Sequence, residues 1–332
     1  MKKLNFVLSL LVAIAISGVA SARDQIKIVG SSTVYPYATI VAEKFGKSGF
    51  KTPVIESTGT GGGMKLFCAG VGTKHPDITN ASRAIKSKEK ALCAKNGVKD
   101  IVEIVVGNDG ISFAHSVKAK EMNFTKEQLW RALAHDVEID GKMVKNPYKK
   151  WSDIDKSLPN KGIKILVPPP TSGTRDAWNS LVMKKGCTKA AKAAYKAQGI
   201  KPKKGCRKLR EDGLAVEAGE NDTLIVNKLA GDPDMFGLFG YSYLVANKDK
   251  IKATKIEGKK PSLASIQDYS YPIARPLFFY VKKQHVGVIP GIDKFIKDFT
   301  SKRAIGPRGY LTELGLIPLA NPEEAITPVK MD

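Results

Sequence analysis

Short β-type runs alternate with helical patterns along most of this chain, and three of the junctions share one make-up. Ile26-Lys27-Ile28-Val29 runs into Gly30-Ser31-Ser32-Thr33 and then a helix opening near Pro36. Pro53-Val54-Ile55-Glu56 runs into Thr58-Gly59-Thr60-Gly61-Gly62-Gly63 and a helix through Leu66 and Phe67. Lys164-Ile165-Leu166-Val167 ends in three prolines, then Thr171-Ser172-Gly173-Thr174-Arg175 opens a helix through Trp178 and Leu181. Such alternation predicts an α/β fold, and a proline at position 36 suits a first helical turn. Further β runs fall at 101–106, 111–113 and 277–281, and helices at 126–134 and 292–299. No internal repeat and no low-complexity linker is visible. The 332 residues allow two cores, so two domains joined by strand crossings are expected.

The three junctions carry the chemistry. A helix start leaves backbone N–H groups unpaired at the positive end of the helix dipole, so it attracts anions. Hydroxyls add donors and glycine admits close approach. One such loop is usually a plain N-cap; three in one chain are more specific. Arg83, in Asn80-Ala81-Ser82-Arg83, and Arg175 each stand beside such a turn, and an arginine fork matches a tetrahedral oxyanion. The alternatives are a surface pair for Arg175, with Asp212 or another carboxylate, and a helix end covered by Arg83. Asn221 is expected to cap a helix, and Trp130, Trp151 and Trp178 to fill the core.

Catalytic motifs fail. Met64 stands where a nucleotide phosphate loop needs glycine, with Leu66 in place of its Ser/Thr, and no G-x-S-x-G surrounds Ser172. His75, His115, His135 and His285 are scattered and no short Cys-x-x-Cys pair occurs. No metal, cofactor or catalytic histidine is assigned, and the reading is a binding site without a reaction.

Residues 1–22 read as a secretory signal: Lys2 and Lys3, an apolar stretch, then Ala20-Ser21-Ala22 with cleavage after Ala22. No later apolar run approaches a bilayer span. Export makes disulfides of the four cysteines, and the local pairing is expected: Cys68 with Cys93, Cys187 with Cys206. The net charge of +22 comes from 54 basic against 32 acidic residues, yet only nine of the basic ones are arginine. Spread lysines on an exported chain argue for a solvated surface rather than nucleic-acid binding.

Four blocks occur in order: Gly30-Ser31-Ser32-Thr33-Val34-Tyr35-Pro36, Ser57-Thr58-Gly59-Thr60-Gly61-Gly62-Gly63, Asp77-Ile78-Thr79-Asn80-Ala81-Ser82-Arg83 and Thr171-Ser172-Gly173-Thr174-Arg175. Together they resemble the periplasmic phosphate-binding proteins of the phosphate ABC transporter (PstS type), over nearly all of the chain beyond residue 22. The resemblance implies a two-lobe, type II-like periplasmic binding protein fold closing on one phosphate ion in the cleft. It implies a soluble periplasmic monomer that docks transiently on a membrane ABC permease, with no cofactor. It assigns Thr33 and the Val34 amide to one loop, Thr60 to the second, and Ser172, Gly173 and Thr174 to the other lobe. Two departures matter: Arg83 stands where the best-known members have Asp, and Pro168 where they have Arg, so Arg83 and Arg175 are expected to supply the charge. Lobe 1 is expected at 23–107 plus 278–332 and lobe 2 at 108–277, with hinges near 105–110 and 270–278.

A fixed carboxylate would reward hydrogen phosphate, which carries a proton, over sulfate, which carries none. Asp109, in Asn108-Asp109-Gly110, is the candidate, with a simple Asp-Gly turn as the equal alternative. The rival functions are binding of another oxyanion (sulfate, molybdate or a phosphonate), a secreted phosphatase, and a surface polyanion adhesin driven by the lysine surplus.

Overall fold

One strand organises the molecule. In the computed structural model, which describes residues 23–218, 222–321, 325–329 and 331, Ile101–Ser116 forms a single strand of 16 residues. The signal expected at 1–22 and the cap expected at Asn221 lie outside the described residues. The sheet runs Val54–Ser57, Lys27–Gly30, Ile78–Ala81, Ala274–Lys282, Ile101–Ser116, Phe236–Gly240, Ile165–Val167, Ala215–Glu217. Its outer members are parallel on each side, and the two long strands pair antiparallel at its middle.

The long strand serves both halves of the sheet. Ile101 to Val105 pair with Phe278 to Lys282, whereas Ile111 to His115 pair with Phe236–Gly240. Between them, Asn108, Asp109 and Gly110 pair with Pro276, Arg275 and Ala274. The turn weighed for Asn108-Asp109-Gly110 is therefore absent. Partners on both edges hold this stretch extended: Asn108 exchanges backbone hydrogen bonds with Ile317 at 2.7 and 3.1 Å, and the Ile111 amide donates to Ile273 at 3.0 Å. A register shift between Leu277 and Phe278 marks a bulge at the crossing, where added twist and bending are expected.

Two large cores flank that crossing. One gathers Trp130, Trp151, Trp178, Phe113, Phe124 and Phe236, drawn from residues 111–273 with Ile317. The other gathers Val41, Phe45, Phe279, Phe295 and Phe299, drawn from residues 26–106 and 277–316. This is the two-lobe α/β architecture expected, and all three tryptophans are core residues. The helix expected at 292–299 is Ile292–Phe299, which turns Ile292, Phe295 and Phe299 inward at i, i+3 and i+7. Both local disulfides form, Cys68–Cys93 and Cys187–Cys206.

Beside the Phe45 core lies a buried charge cluster. Asp77 accepts from Arg23 Nη2 at 2.8 Å and the Lys27 amide at 2.7 Å, and pairs with His285 Nδ1 at 2.6 Å. Burial pushes its carboxyl up, but His285, Arg23 and the Lys27 amide outweigh burial and hold it below the ordinary aspartate value.

Candidate functional site

The three hydroxyl-rich loops do open helices, at Tyr35–Gly46, Gly59–Phe67 and Gly173–Trp178. The last runs on through Asn179–Met183 and Lys184–Gly186. None of their N-cap residues, Val34, Thr58 and Ser172, caps its helix with a side chain. The helix starts thus have first-turn amides that no capping side chain serves. Glycine sets one close approach here. A Cβ on Gly63 would lie 2.4 Å from the Gly30 Cα, so only glycine lets helix Gly59–Phe67 sit on strand Lys27–Gly30.

The loops meet across the two cores. Thr33, buried ahead of a helix that feeds the Phe45 core, donates from Oγ1 to the Gly173 carbonyl at 3.3 Å. Gly173 starts the helix that carries Ala177 and Trp178 into the other core. Thr60 sits in the first turn of its helix; its Oγ1 accepts from the Ser82 amide at 3.0 Å and lies 3.1 Å from the Ser82 Oγ. Ser82 in turn donates to Asp176 Oδ2 at 3.4 Å, a contact spanning 94 residues of sequence.

The charge at this junction is Arg275, which the sequence reading missed. Its guanidinium, on a residue only 6% exposed, donates from Nη2 to Thr33 Oγ1 at 2.8 Å and to the Gly173 carbonyl at 3.4 Å. Nε donates to Asp109 Oδ2 at 3.1 Å and Nη1 to Asp176 Oδ2 at 3.3 Å. Strand register explains the first carboxylate. Arg275 and Asp109 are paired residues on adjacent antiparallel strands, which places both side chains on one face. A signal was present: Arg275 is the sole charged residue between Asp268 and Lys282, within an apolar β run. A charge in such a run demands buried partners. Asp176 was missed as well, although it adjoins Arg175.

Asp109 sits among opposing influences. Burial, the largest, and the like charge of Asp176 push its carboxyl above the ordinary value, against the pull of Arg275. Tyr37 lies close by; burial first, and then the Asp109 charge, hold its phenol well above the usual range. One guanidinium facing two carboxylates disfavours a bare dianion. An anion that shares a proton with a carboxylate is the better fit.

The other predicted residues divide. Val34 is fully buried at its helix start, and Ser172 and Thr174 are half-buried at theirs. Arg83 does not turn to the loops' meeting point. Its fork grips Glu89 at 2.7 and 2.9 Å, the third residue of helix Ser87–Lys95, so it covers a helix start. Arg175 is buried and donates from Nη1 to the Pro168 carbonyl at 2.7 Å, with Glu217 at 3.6 Å. Its Nε is buried with no hydrogen-bond partner among the described residues. In this arrangement it braces the proline loop; Asp212, its suggested partner, is taken by Arg210 and Lys149.

Two lobes on shared strands, with helix starts facing each other across an arginine, define a two-lobe substrate-binding protein. The sequence model of the PBP superfamily domain matches residues 15–303. A phosphate-binding protein PstS of Staphylococcus saprophyticus is 31% identical over 285 residues, 83% of this chain and 75% of that protein. Protein SphX of Synechococcus elongatus is 31% identical over 262 residues, 77% of this chain and 67% of the relative. Among solved structures, a possible phosphate binding protein from Planctomyces limnophilus superposes with TM-score 0.68 at 29% identity, over 89% of this chain and 93% of that one. The chain belongs to the PstS-type family of the periplasmic binding protein superfamily.

Proposed function

We propose that this protein captures inorganic phosphate between its lobes and delivers it to a membrane ABC permease. The observation that carries the reading is the Arg275 guanidinium, buried at the lobe crossing among Thr33, Asp109, Gly173 and Asp176. The PstS name borne by relatives at 31% identity supports phosphate as the ligand. Export with cleavage after Ala22, a periplasmic location and a monomeric state complete the reading. Lobe 1 comprises 23–107 plus 278–332 and lobe 2 residues 108–277. They move about the bulged pairing of 105–110 with 274–278, where the two cores share strands. Closure surrounds the anion with donors already held in place, so affinity comes from preorganisation. No step breaks a bond: a chromogenic phosphate ester incubated with the protein is expected to stay intact, and steady turnover would favour a phosphatase.

On binding, the hydroxyls of Thr33 and Ser82 turn from the Gly173 carbonyl and Asp176 to phosphate oxygens, beside the Thr60 hydroxyl and the amides at Val34, Gly173 and Thr174. Arg275 supplies the charge, with Arg175 bracing the loop that presents Ser172. Asp109, its basicity raised by burial, accepts the phosphate proton. Asp109→Asn is expected to weaken phosphate binding about tenfold, one charge-assisted hydrogen bond, and to let excess sulfate compete. Radiolabelled phosphate retention with and without sulfate reads both effects. Unchanged affinity and unchanged sulfate rejection would remove Asp109 from the site.

A further inference from the structure

The lysines are spread along the whole chain, but one stretch that the phosphate site does not use carries no acid to balance them. From residue 177 to 210 the chain contains no Asp or Glu, yet it holds ten basic residues between 184 and 208. The Cys187–Cys206 disulfide closes most of this stretch into one module. Its inner side is fixed: Ala191, Ala194 and Tyr195 are buried, and a Cβ on Gly205 would lie 2.5 Å from the Tyr195 ring. Its outer side is cationic. Lys189, Lys192 and Lys196 recur at i, i+3 and i+7 along helix Lys189–Ala197, and Lys201, Lys203 and Lys204 follow on the next turn.

Elsewhere lysines meet carboxylates: Lys149 with Asp212 at 2.9 Å, Lys164 with Asp232 at 2.9 Å, Lys255 with Glu121 at 2.8 Å. None of the ten basic residues at 184–208 has an ion pair within 4.0 Å among the described residues. Between the helix and the following lysines, the turn at Gly199 lifts Ile200 into solvent, 38% exposed. Lys86, outside the module, has its ammonium held below the ordinary value by burial first and then by the charges of Arg83, Lys184 and Lys203, against the pull of Glu89.

We infer that this disulfide-closed module is an electrostatic docking surface for anionic phospholipid, holding the protein on the membrane that carries its permease. Lysine, a hydrated point charge on a flexible stem, suits loose contact with many headgroups, whereas arginine forks would suit a specific phosphate. An exposed isoleucine among lysines matches the interfacial pattern of apolar insertion with flanking positive charge. The reading of the cleft stands or falls separately.

The test is sedimentation of the exported protein with phosphatidylglycerol and with pure phosphatidylcholine vesicles, at low and high salt. Binding to the anionic vesicles alone, lost in high salt and undisturbed by free phosphate, is expected. Each lysine near an anionic surface adds about 1 kcal/mol, roughly fivefold. The combined Lys189→Gln, Lys196→Gln, Lys201→Gln and Lys203→Gln protein should therefore bind these vesicles more than tenfold more weakly, with phosphate affinity intact. Neutralising Lys47, Lys248, Lys259 and Lys302, exposed elsewhere, should change little. Equal loss in both variants overturns the proposal in favour of diffuse net-charge attraction. Absence of binding to anionic vesicles, or equal binding to phosphatidylcholine vesicles, overturns it as well. Displacement by free phosphate would assign the lysines to the ion rather than to the lipid.

Discussion

Arg275→Gln lowers phosphate affinity about a thousandfold while leaving both cores folded. The buried guanidinium donates to Thr33, Asp109, Gly173 and Asp176 and is the sole cation in that set. Two charge-assisted hydrogen bonds to the anion, at about 1.5–3 kcal/mol each, amount to roughly two to four powers of ten in affinity. Glutamine keeps a donor but removes the charge, so the Asp176 carboxylate then faces the approaching dianion with no cation to offset it. The fold tolerates the change because Asp109, already pushed up by burial, takes up a proton when its partner leaves. Titration of the variant with phosphate, beside a thermal melt, reads both effects. Affinity within about threefold of the parent would exclude Arg275 from the site.

Gly173→Ala is expected to hold the lobes apart. The new methyl would lie 2.6 Å from the Thr33 Cα and 2.9 Å from its Oγ1. The first of these is backbone, which no rotamer change can move. Overpacking of this kind costs about 1–3 kcal/mol, a loss of roughly five- to 150-fold in affinity. The cost falls on closure because Gly173 opens, and Thr33 precedes, helices that feed different cores. Small-angle scattering should therefore show the parent contracting with phosphate and the variant keeping its ligand-free radius. A variant that contracts and binds like the parent would show that the two loops need not touch.

Most of the frame was readable from the chain, because strands, helix starts and local disulfides are short-range features. The run of Ile292, Phe295 and Phe299 carries its own helical period, and the loops at 30–33, 58–63 and 171–175 announce helix starts by composition. The continuity of Ile101–Ser116 was hidden because Asp109-Gly110 has turn chemistry locally; distant partners at 273–276 and 317 keep it extended. The same limit hid Arg275. Its role follows from standing opposite Asp109, and that register is fixed by strands separated by more than 150 residues. Arg83 misled for a related reason: Glu89, six residues on, is a local competitor for its fork that loop composition does not weigh. Arg175 lies beside the right loop, but burial turns it inward to Pro168 while its neighbour Asp176 meets Arg275.

The central claim is that the junction of Thr33, Thr60, Asp109, Gly173 and Arg275 binds phosphate and discriminates against sulfate. Calorimetric titration of the exported, ligand-stripped protein with phosphate, repeated in excess sulfate, tests it most directly. One-to-one binding of high affinity that sulfate does not displace is the predicted result. Absence of heat with phosphate, or equal competition by sulfate, would contradict it and reassign the cleft to another oxyanion.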